Sequence, residues 1–446
     1  MTRLRVNGPS GTHVPLSGTV AVPGDKSISH RALMLGALAD GTSRVEGFLP
    51  SGDCLATVGC LRQLGVEIEH PVAGDATTAI VYGRGLRGLV APEDPLDCRR
   101  SGTTIRLLAG ILAGQTFDSV LSGAPQLLRR PMRRITQPLA AMGAEIADIE
   151  GRAPLSITGG RPLRGGGHVL SVASAQVKSC ILLAGLYADD EVSVQLPGPA
   201  RDHTERMIAA QAEAENALTY DACAARIDPA AVGALRATDR VVPGDISSAA
   251  FLIAAASAVP GSDVAIPSVG VNPTRTGLLD VLQRMGAKVE LSAACDQGGE
   301  PVADIDVRAS TLSATEVRGE TVVRMIDEFP ILAVQATQAV GRTEVRDAAE
   351  LRVKETDRIA VVVEALSAMG ASIEATPDGF VVEGPTPLTG AEVDSQGDHR
   401  VAMALAVAGL IARGQTTVLG AECIPDSFPG FVEILSSLGA VLRYED

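Results

Sequence analysis

A chain of 446 residues exceeds one ordinary domain of roughly 100–200 residues, and 46% hydrophobic against 20% charged residues leaves ample material for a core. With aromatics at 2%, no Trp and a formal charge of −15, both the stacking rings and the basic face of a nucleic-acid binder are missing, so no nucleic-acid partner is expected. No apolar run reaches the roughly 18–20 residues of a membrane span, and the N-terminal stretch MTRLRVNGPSGTHVPLSG lacks the apolar core of a signal peptide. Seven Cys at 54, 60, 98, 180, 223, 295 and 423 form neither a CxxC pair nor a zinc-spaced cluster with His. The expectation is a cytoplasmic protein with reduced thiols, no metal and no membrane contact.

In chain order, six stretches read as buried helices introduced by a Ser, Thr, Gly or Asp cluster: 24–41, 100–114, 174–189, 244–259, 327–341 and 397–414. Ser, Thr and Asp cap helix starts, and the residues that follow are apolar nearly all round. Anchored on Ser27, Ser101, Ser174, Ser247, Asp327 and Asp398, these helices recur every 71 to 80 residues. A second series follows each of them, an apolar helix end with Gly and then an alternating strand. Its glycines are Gly65, Gly143, Gly286, Gly370 and Gly439, with Ala212 in a degraded third copy. Gly there suits a left-handed helix C-cap. Each unit therefore reads as buried helix, strand, second helix and strand, repeated six times.

Six equivalent helices in so long a chain suggest two groups of three. Helix N-termini gathered on one face would attract anions through unpaired N–H groups and the helix dipole, although buried helices need caps whatever the function. Only four Lys occur, and Lys26, Lys178 and Lys354 stand at or near the cap clusters while the other 34 basic residues are Arg. Arg grips phosphate or carboxylate in a bidentate fork, whereas Lys can also give up a proton; a capping or salt-bridge role for each Lys stays open. Arg31, Arg130, Arg133, Arg201, Arg206, Arg358 and Arg400 lie close by, and on an acidic protein such a set implies a small polyanion. Asp327, Glu328 and Glu355 are acid–base candidates. His30, His203 and His399 follow caps and suit structural hydrogen bonds. PGDKS lacks the first Gly of a nucleotide phosphate loop, so ATP is not indicated.

Ten segments in order resemble the 5-enolpyruvylshikimate-3-phosphate (EPSP) synthase family: PGDKSISHRALMLGALA (23–39), SGTTIRLLAG (101–110), RRPM (129–132), SAQVKS (174–179), RDHTE (201–205), PGDISSAAF (243–251), NPTR (272–275), MIDEFPILAV (325–334), ELRVKETDR (350–358) and GDHRVAMAL (397–405). GDKS, SAQVK, RDHTE and NPTR resemble its second class, which includes glyphosate-tolerant members. The resemblance implies an α/β fold of two domains, each of three βαβαββ-type repeats with helices inside and sheets outside. It places one domain at 22–240 and the other at 241–446, completed by the N-terminal strand 1–21, with substrates in a cleft that closes.

The implied activity is transfer of the enolpyruvyl group of phosphoenolpyruvate to the 5-hydroxyl of shikimate 3-phosphate, in aromatic amino-acid (chorismate) biosynthesis, without cofactor. By the resemblance Asp327 takes the hydroxyl proton, Glu355 protonates C3 and Lys26 spans both substrates. Ser27, Arg31, Ser174, Ala175, Gln176, Arg201, Asp327 and Lys354 would meet shikimate 3-phosphate. Gly102, Arg130, Gln176, Arg358 and Arg400 would meet phosphoenolpyruvate. A monomer is expected.

The chain departs from the family pattern at Arg99 and Arg100 before SGTT, at Ala124 before RPM and at Asp426 before SFP. Gly102 is the glyphosate-sensitive choice. Two other readings follow the residues: a non-catalytic binder of polyanions, and the enolpyruvyl transferase acting on UDP-N-acetylglucosamine. SGAPQLLRRPM lacks the loop Cys of the latter.

Overall fold

The computed structural model describes residues 2–9 and 14–445; the remaining residues of the N-terminal stretch read above lie outside them. Six helices sit at the centre of the repeats: α1 (Lys26–Leu38), α2 (Gly102–Ala113), α3 (Ala175–Gly185), α4 (Ile246–Ala258), α5 (Phe329–Gln338) and α6 (His399–Ile411). In α4 every residue from Ile246 to Ser257 is buried, and in α6 every residue from His399 to Leu410. Buried on all sides, such helices must pack against one another as well as against sheets. Small residues make that possible. A Cβ on Gly110 of α2 would lie 2.2 Å from the carbonyl oxygen of Cys180 in α3, so only Gly lets these two helices approach so closely.

The chain divides into two compact units, one of residues 24–242 with 297–300, the other of 1–23, 243–296 and 301–446. Each has its own continuous apolar core and three four-stranded sheets. In the first sheet of the unit 24–242, Thr42–Glu46 runs parallel to Arg240–Val241 and antiparallel to Ala79–Tyr82, which in turn pairs antiparallel with Glu67–Glu69. The same order recurs in the other five sheets, and in five of the six the last two strands are consecutive in the chain; in the sixth the N-terminal strand takes the place of one of them. In the other unit the N-terminal strand Arg3–Asn7 lies between Gln415–Leu419 and Leu442–Glu445, antiparallel to both. Leu4 and Val6 of that strand are fully buried.

The repeat glycines perform the role expected of them. Gly65, Gly143, Gly286, Gly370 and Gly439 have φ between 82° and 107°, where a Cβ would be strained. Ala212 instead ends its helix in extended backbone at φ −67° and ψ 154°, which an L-residue adopts freely. Two of the helix starts differ by two residues from the expected anchors. Asp25 and Asp245 are the caps, accepting from the backbone N–H of Ile28 and Ser247 respectively, so Ser27 and Ser247 fall inside the first turn. Asp327 lies one residue before the cap of α5. Glu328 occupies the cap position of α5 without a side-chain capping bond.

Candidate active site

In the unit 24–242, the Asp25 cap places Lys26 and Ser27 in the first turn of α1 and Arg31 one turn further on. Arg31 is 4% exposed. Its Nε donates to Thr204 Oγ1 at 2.6 Å, Nη2 to Ser179 Oγ at 2.8 Å and Nη1 to the Ser27 carbonyl at 2.9 Å. Burial pushes this guanidinium down to about 10, against the opposing pull of Glu205 and Asp25 and with Arg201 adding to the fall; it is still a cation at neutral pH. Lys26 Nζ lies 3.1 Å from Asp53. Arg201 is among the cations whose charge acts on Arg31.

Ser101 caps α2 by accepting from Thr104 N–H at 3.1 Å, which sets Gly102 at the first helical position. The space beside Gly102 is filled by arginine: a Cβ there would meet Arg130 Nη1 at 2.6 Å and Arg106 Nη1 at 2.9 Å. Arg106 Nη1 also donates to Gln176 Oε1 at 2.6 Å, and Gln176 Nε2 donates to Thr103 Oγ1 at 3.0 Å. Gly102, Arg130 and Gln176 are thereby gathered around Arg106, a residue the sequence reading passed over. Its signal was available, since it is the only charged side chain in α2. Ser174 caps α3 and puts Ala175 and Gln176 in its first turn.

Lys178, His30 and His203 are held by buried partners. Lys178 and Glu205 form a fully buried ion pair at 2.5 Å. His30 Nδ1 is 2.7 Å from Thr57 Oγ1, and His203 Nδ1 is 2.7 Å from Glu300 Oε1. His399 is buried in the first turn of α6.

In the other unit, five candidates form one ionic cluster. Arg358 opens the helix Arg358–Ala368 and is 2% exposed. It reaches Asp327 Oδ1 at 3.3 Å, Glu355 Oε2 at 2.7 Å and, through Nε, Asp398 Oδ2 at 2.8 Å. Burial alone would lower its pKa, but Asp398, Glu355 and Asp327 together hold it above the ordinary value. Asp327 also lies 3.9 Å from Lys354 Nζ and 3.6 Å from Arg400 Nη2. Burial lowers Lys354, with Asp327 opposing and Arg358 adding to the effect. Asp398, which also caps α6 by accepting from Arg400 N–H at 2.9 Å, was read only as a helix start.

The departures from the family pattern lie in the following local settings. Arg99 and Arg100 are exposed, and Arg99 sits at φ 49° with its N–H donating to Asp97 Oδ1 at 2.8 Å. Ala124 is the N-cap of the short helix Pro125–Leu128 and provides no side-chain bond, where an Asp would. Asp426 ends a 3-10 helix, Ala421–Asp426, and is half-buried. Among the described residues no group of three His, Cys, Asp or Glu could hold a metal ion, and no helix is long and apolar enough to cross a membrane.

The family model for EPSP synthase (3-phosphoshikimate 1-carboxyvinyltransferase) matches residues 11–435. The chain belongs to the EPSP synthase family. It is 53% identical over 433 residues to the 3-phosphoshikimate 1-carboxyvinyltransferase of Pelotomaculum thermopropionicum, covering 95% of this chain and 96% of that one. It is 52% identical over 423 residues to the enzyme of the same name from Geobacter sp. strain M21, covering 94% and 96%. Its fold matches the EPSP synthase structure from Acinetobacter baumannii over 100% of both chains, with a TM-score of 0.88 and 42% identity. Within this EPSP synthase family member, both groups of candidates stand at or beside the starts of the repeat helices, where the family motifs lie.

Proposed function

We propose that the chain is a 3-phosphoshikimate 1-carboxyvinyltransferase, joining the enolpyruvyl group of phosphoenolpyruvate to the 5-hydroxyl of shikimate 3-phosphate and releasing phosphate. One observation carries the assignment of roles: the gathering of Asp327, Lys354, Glu355, Arg358 and Arg400 into one ionic cluster. A mere binder of polyanions has no need of carboxylates among its cations, because they compete with the ligand. A transferase does need them, since one proton must leave the hydroxyl and another must reach C3.

The roles proposed here follow the family resemblance. The 5-hydroxyl attacks C2 of phosphoenolpyruvate as Asp327 takes its proton, and C3 gains a proton from Glu355. The tetrahedral intermediate then loses phosphate and returns the C3 proton. Arg358 and Arg400, with Gly102, Arg130 and Gln176, receive phosphoenolpyruvate. Ser27, Arg31, Ser174, Ala175, Gln176, Arg201, Asp327 and Lys354 receive shikimate 3-phosphate, and Lys26 meets both. In the free enzyme the carboxylates hold the arginines in place. An arriving anion competes for those arginines and releases Asp327 and Glu355 to move protons, so charge is preorganised before the reaction begins.

Phosphate release that requires both substrates is the expected result with purified protein. Binding of both without release would return the chain to the class of binders. A cytoplasmic location and a monomeric state complete the proposal, and a sedimenting species with the mass of one chain checks the second.

A further inference from the structure

Two motifs, PGDISSAAF (243–251) and NPTR (272–275), contain no residue assigned above to either substrate, yet their polar side chains run toward Asp327. Asn272 Oδ1 accepts from the backbone N–H of Thr274 at 2.9 Å and from its hydroxyl at 2.7 Å, and Arg275 N–H donates to the Asn272 carbonyl at 2.8 Å. The loop therefore turns on itself. Arg324 fastens it from outside, donating to the Pro273 carbonyl at 2.7 Å and to Thr276 Oγ1 at 3.0 Å. Arg275 is left pointing inward at 2% exposure. Its Nη2 donates to Asp245 Oδ1 at 3.0 Å and to Ser247 Oγ at 2.8 Å.

A hydroxyl has one proton to give. With Arg275 donating to its oxygen, Ser247 gives that proton to Glu328 Oε1. The same carboxylate oxygen lies 3.7 Å from Arg400 Nη1, while Arg400 Nη2 lies 3.6 Å from Asp327 Oδ2 and Nη1 donates to the Asp327 carbonyl at 3.4 Å. Glu328 is 2% exposed, and its other oxygen, Oε2, is buried without a hydrogen-bond partner among the described residues. A buried carboxylate oxygen left unbonded is costly. A buried charge of this kind adds little to stability by itself, and the cation within its reach is Arg400.

We propose that Glu328 is a positioning residue for Arg400, held in place by the chain Arg275–Ser247–Glu328, and that it aims the Arg400 guanidinium for phosphoenolpyruvate. The inference rests on the reading of Arg400 as a phosphoenolpyruvate ligand. The guanidinium sits almost equally far from Asp327 and Glu328. Loss of the Glu328 charge lets it swing fully onto Asp327, where an incoming anion must displace it.

Steady-state kinetics with both substrates, alongside thermal melts, test this on three variants of the full chain: Glu328→Gln, Ser247→Ala and Arg400→Lys. Glu328→Gln keeps the shape and removes the charge; Ser247→Ala keeps the charge and removes its anchor, and carries the test should the first variant not fold. Both are expected to raise the KM for phosphoenolpyruvate about tenfold, the usual size for a lost hydrogen bond to a charged group. The KM for shikimate 3-phosphate should move less than about twofold, and a merely structural role would move both constants together. If Arg400→Lys raises the phosphoenolpyruvate KM while the other two variants leave it unchanged, or shift both constants alike, the positioning role is overturned. If Arg400→Lys leaves that KM unchanged, the reading of Arg400 falls first, and the positioning role falls with it.

Discussion

Arg31 and Arg358 are buried almost equally, at 4% and 2% exposure, and each stands on the first turns of a helix in a different unit. Their partners differ in kind. Arg31 is tied by two hydroxyls and a carbonyl, and burial wins: its guanidinium is pushed down to about 10. Arg358 is gripped by Asp398, Glu355 and Asp327, and its carboxylates win over burial. Neutral partners fix a cation's position and leave its charge available to an incoming anion. Carboxylates cancel the charge and add groups that can carry protons. The two lysines of the unit 24–242 do not follow Arg31, since Lys26 faces Asp53 and Lys178 faces Glu205. The contrast is therefore between arginines, and it matches the proposed split between anchoring a substrate and moving its protons.

The largest test of that split is Asp327→Ala, which should lower turnover by about a thousandfold in a phosphate-release assay, the scale of a lost general base. Phosphoenolpyruvate binding should be largely kept; near-normal rates would remove Asp327 from the role. Next is stability. Asp398→Ala strips a buried cation of a carboxylate and α6 of its cap, and should cost about 3 kcal/mol in urea unfolding. Thr204→Val, which takes one hydroxyl from Arg31, should cost about 1 kcal/mol. Equal losses from the two would erase the contrast.

A pH series probes the neutral-partner side. Burial, with Lys26 and Arg31 adding, holds His30 well below its ordinary value, so the folded chain keeps it neutral. The unfolded chain binds that proton below about 6.5, and stability should therefore fall as pH drops through that value. The slope is at most about 1.4 kcal/mol per pH unit, and His30→Gln should flatten it. Smallest is Ala124→Asp, expected to add about 0.5 kcal/mol by capping the short helix Pro125–Leu128. An unchanged urea midpoint would show that this cap position does not respond to a carboxylate.

Much of this was legible in the residues, because what repeats is local. The five glycines announced their left-handed turns through a conformation that only Gly adopts cheaply, and the apolar run of each central helix announced its burial. Helix starts were legible only to within two residues. GDKS and GDIS each offer an Asp and a Ser able to cap, and in both the Asp takes the position. Partnerships were not legible. Arg358 meets Asp398 across 40 residues and Arg31 meets Ser179 across 148, and no periodicity encodes a contact between repeats. Arg106 lay in between: an Arg in an apolar helix needs a polar partner, but Gln176 could be identified only after α2 and α3 were side by side.

The placement of Arg3–Asn7 between Gln415–Leu419 and Leu442–Glu445 sets an order of events on the ribosome. Residues 24–242 leave it as one nearly complete unit that can fold while translation continues. The strand Arg3–Asn7 waits for partners made roughly 400 residues later, about 20–80 s at ordinary elongation rates. During that wait Leu4 and Val6 are an unpaired apolar edge, and the arginines that alternate with them, Arg3 and Arg5, are the charges that discourage another nascent chain from pairing with it.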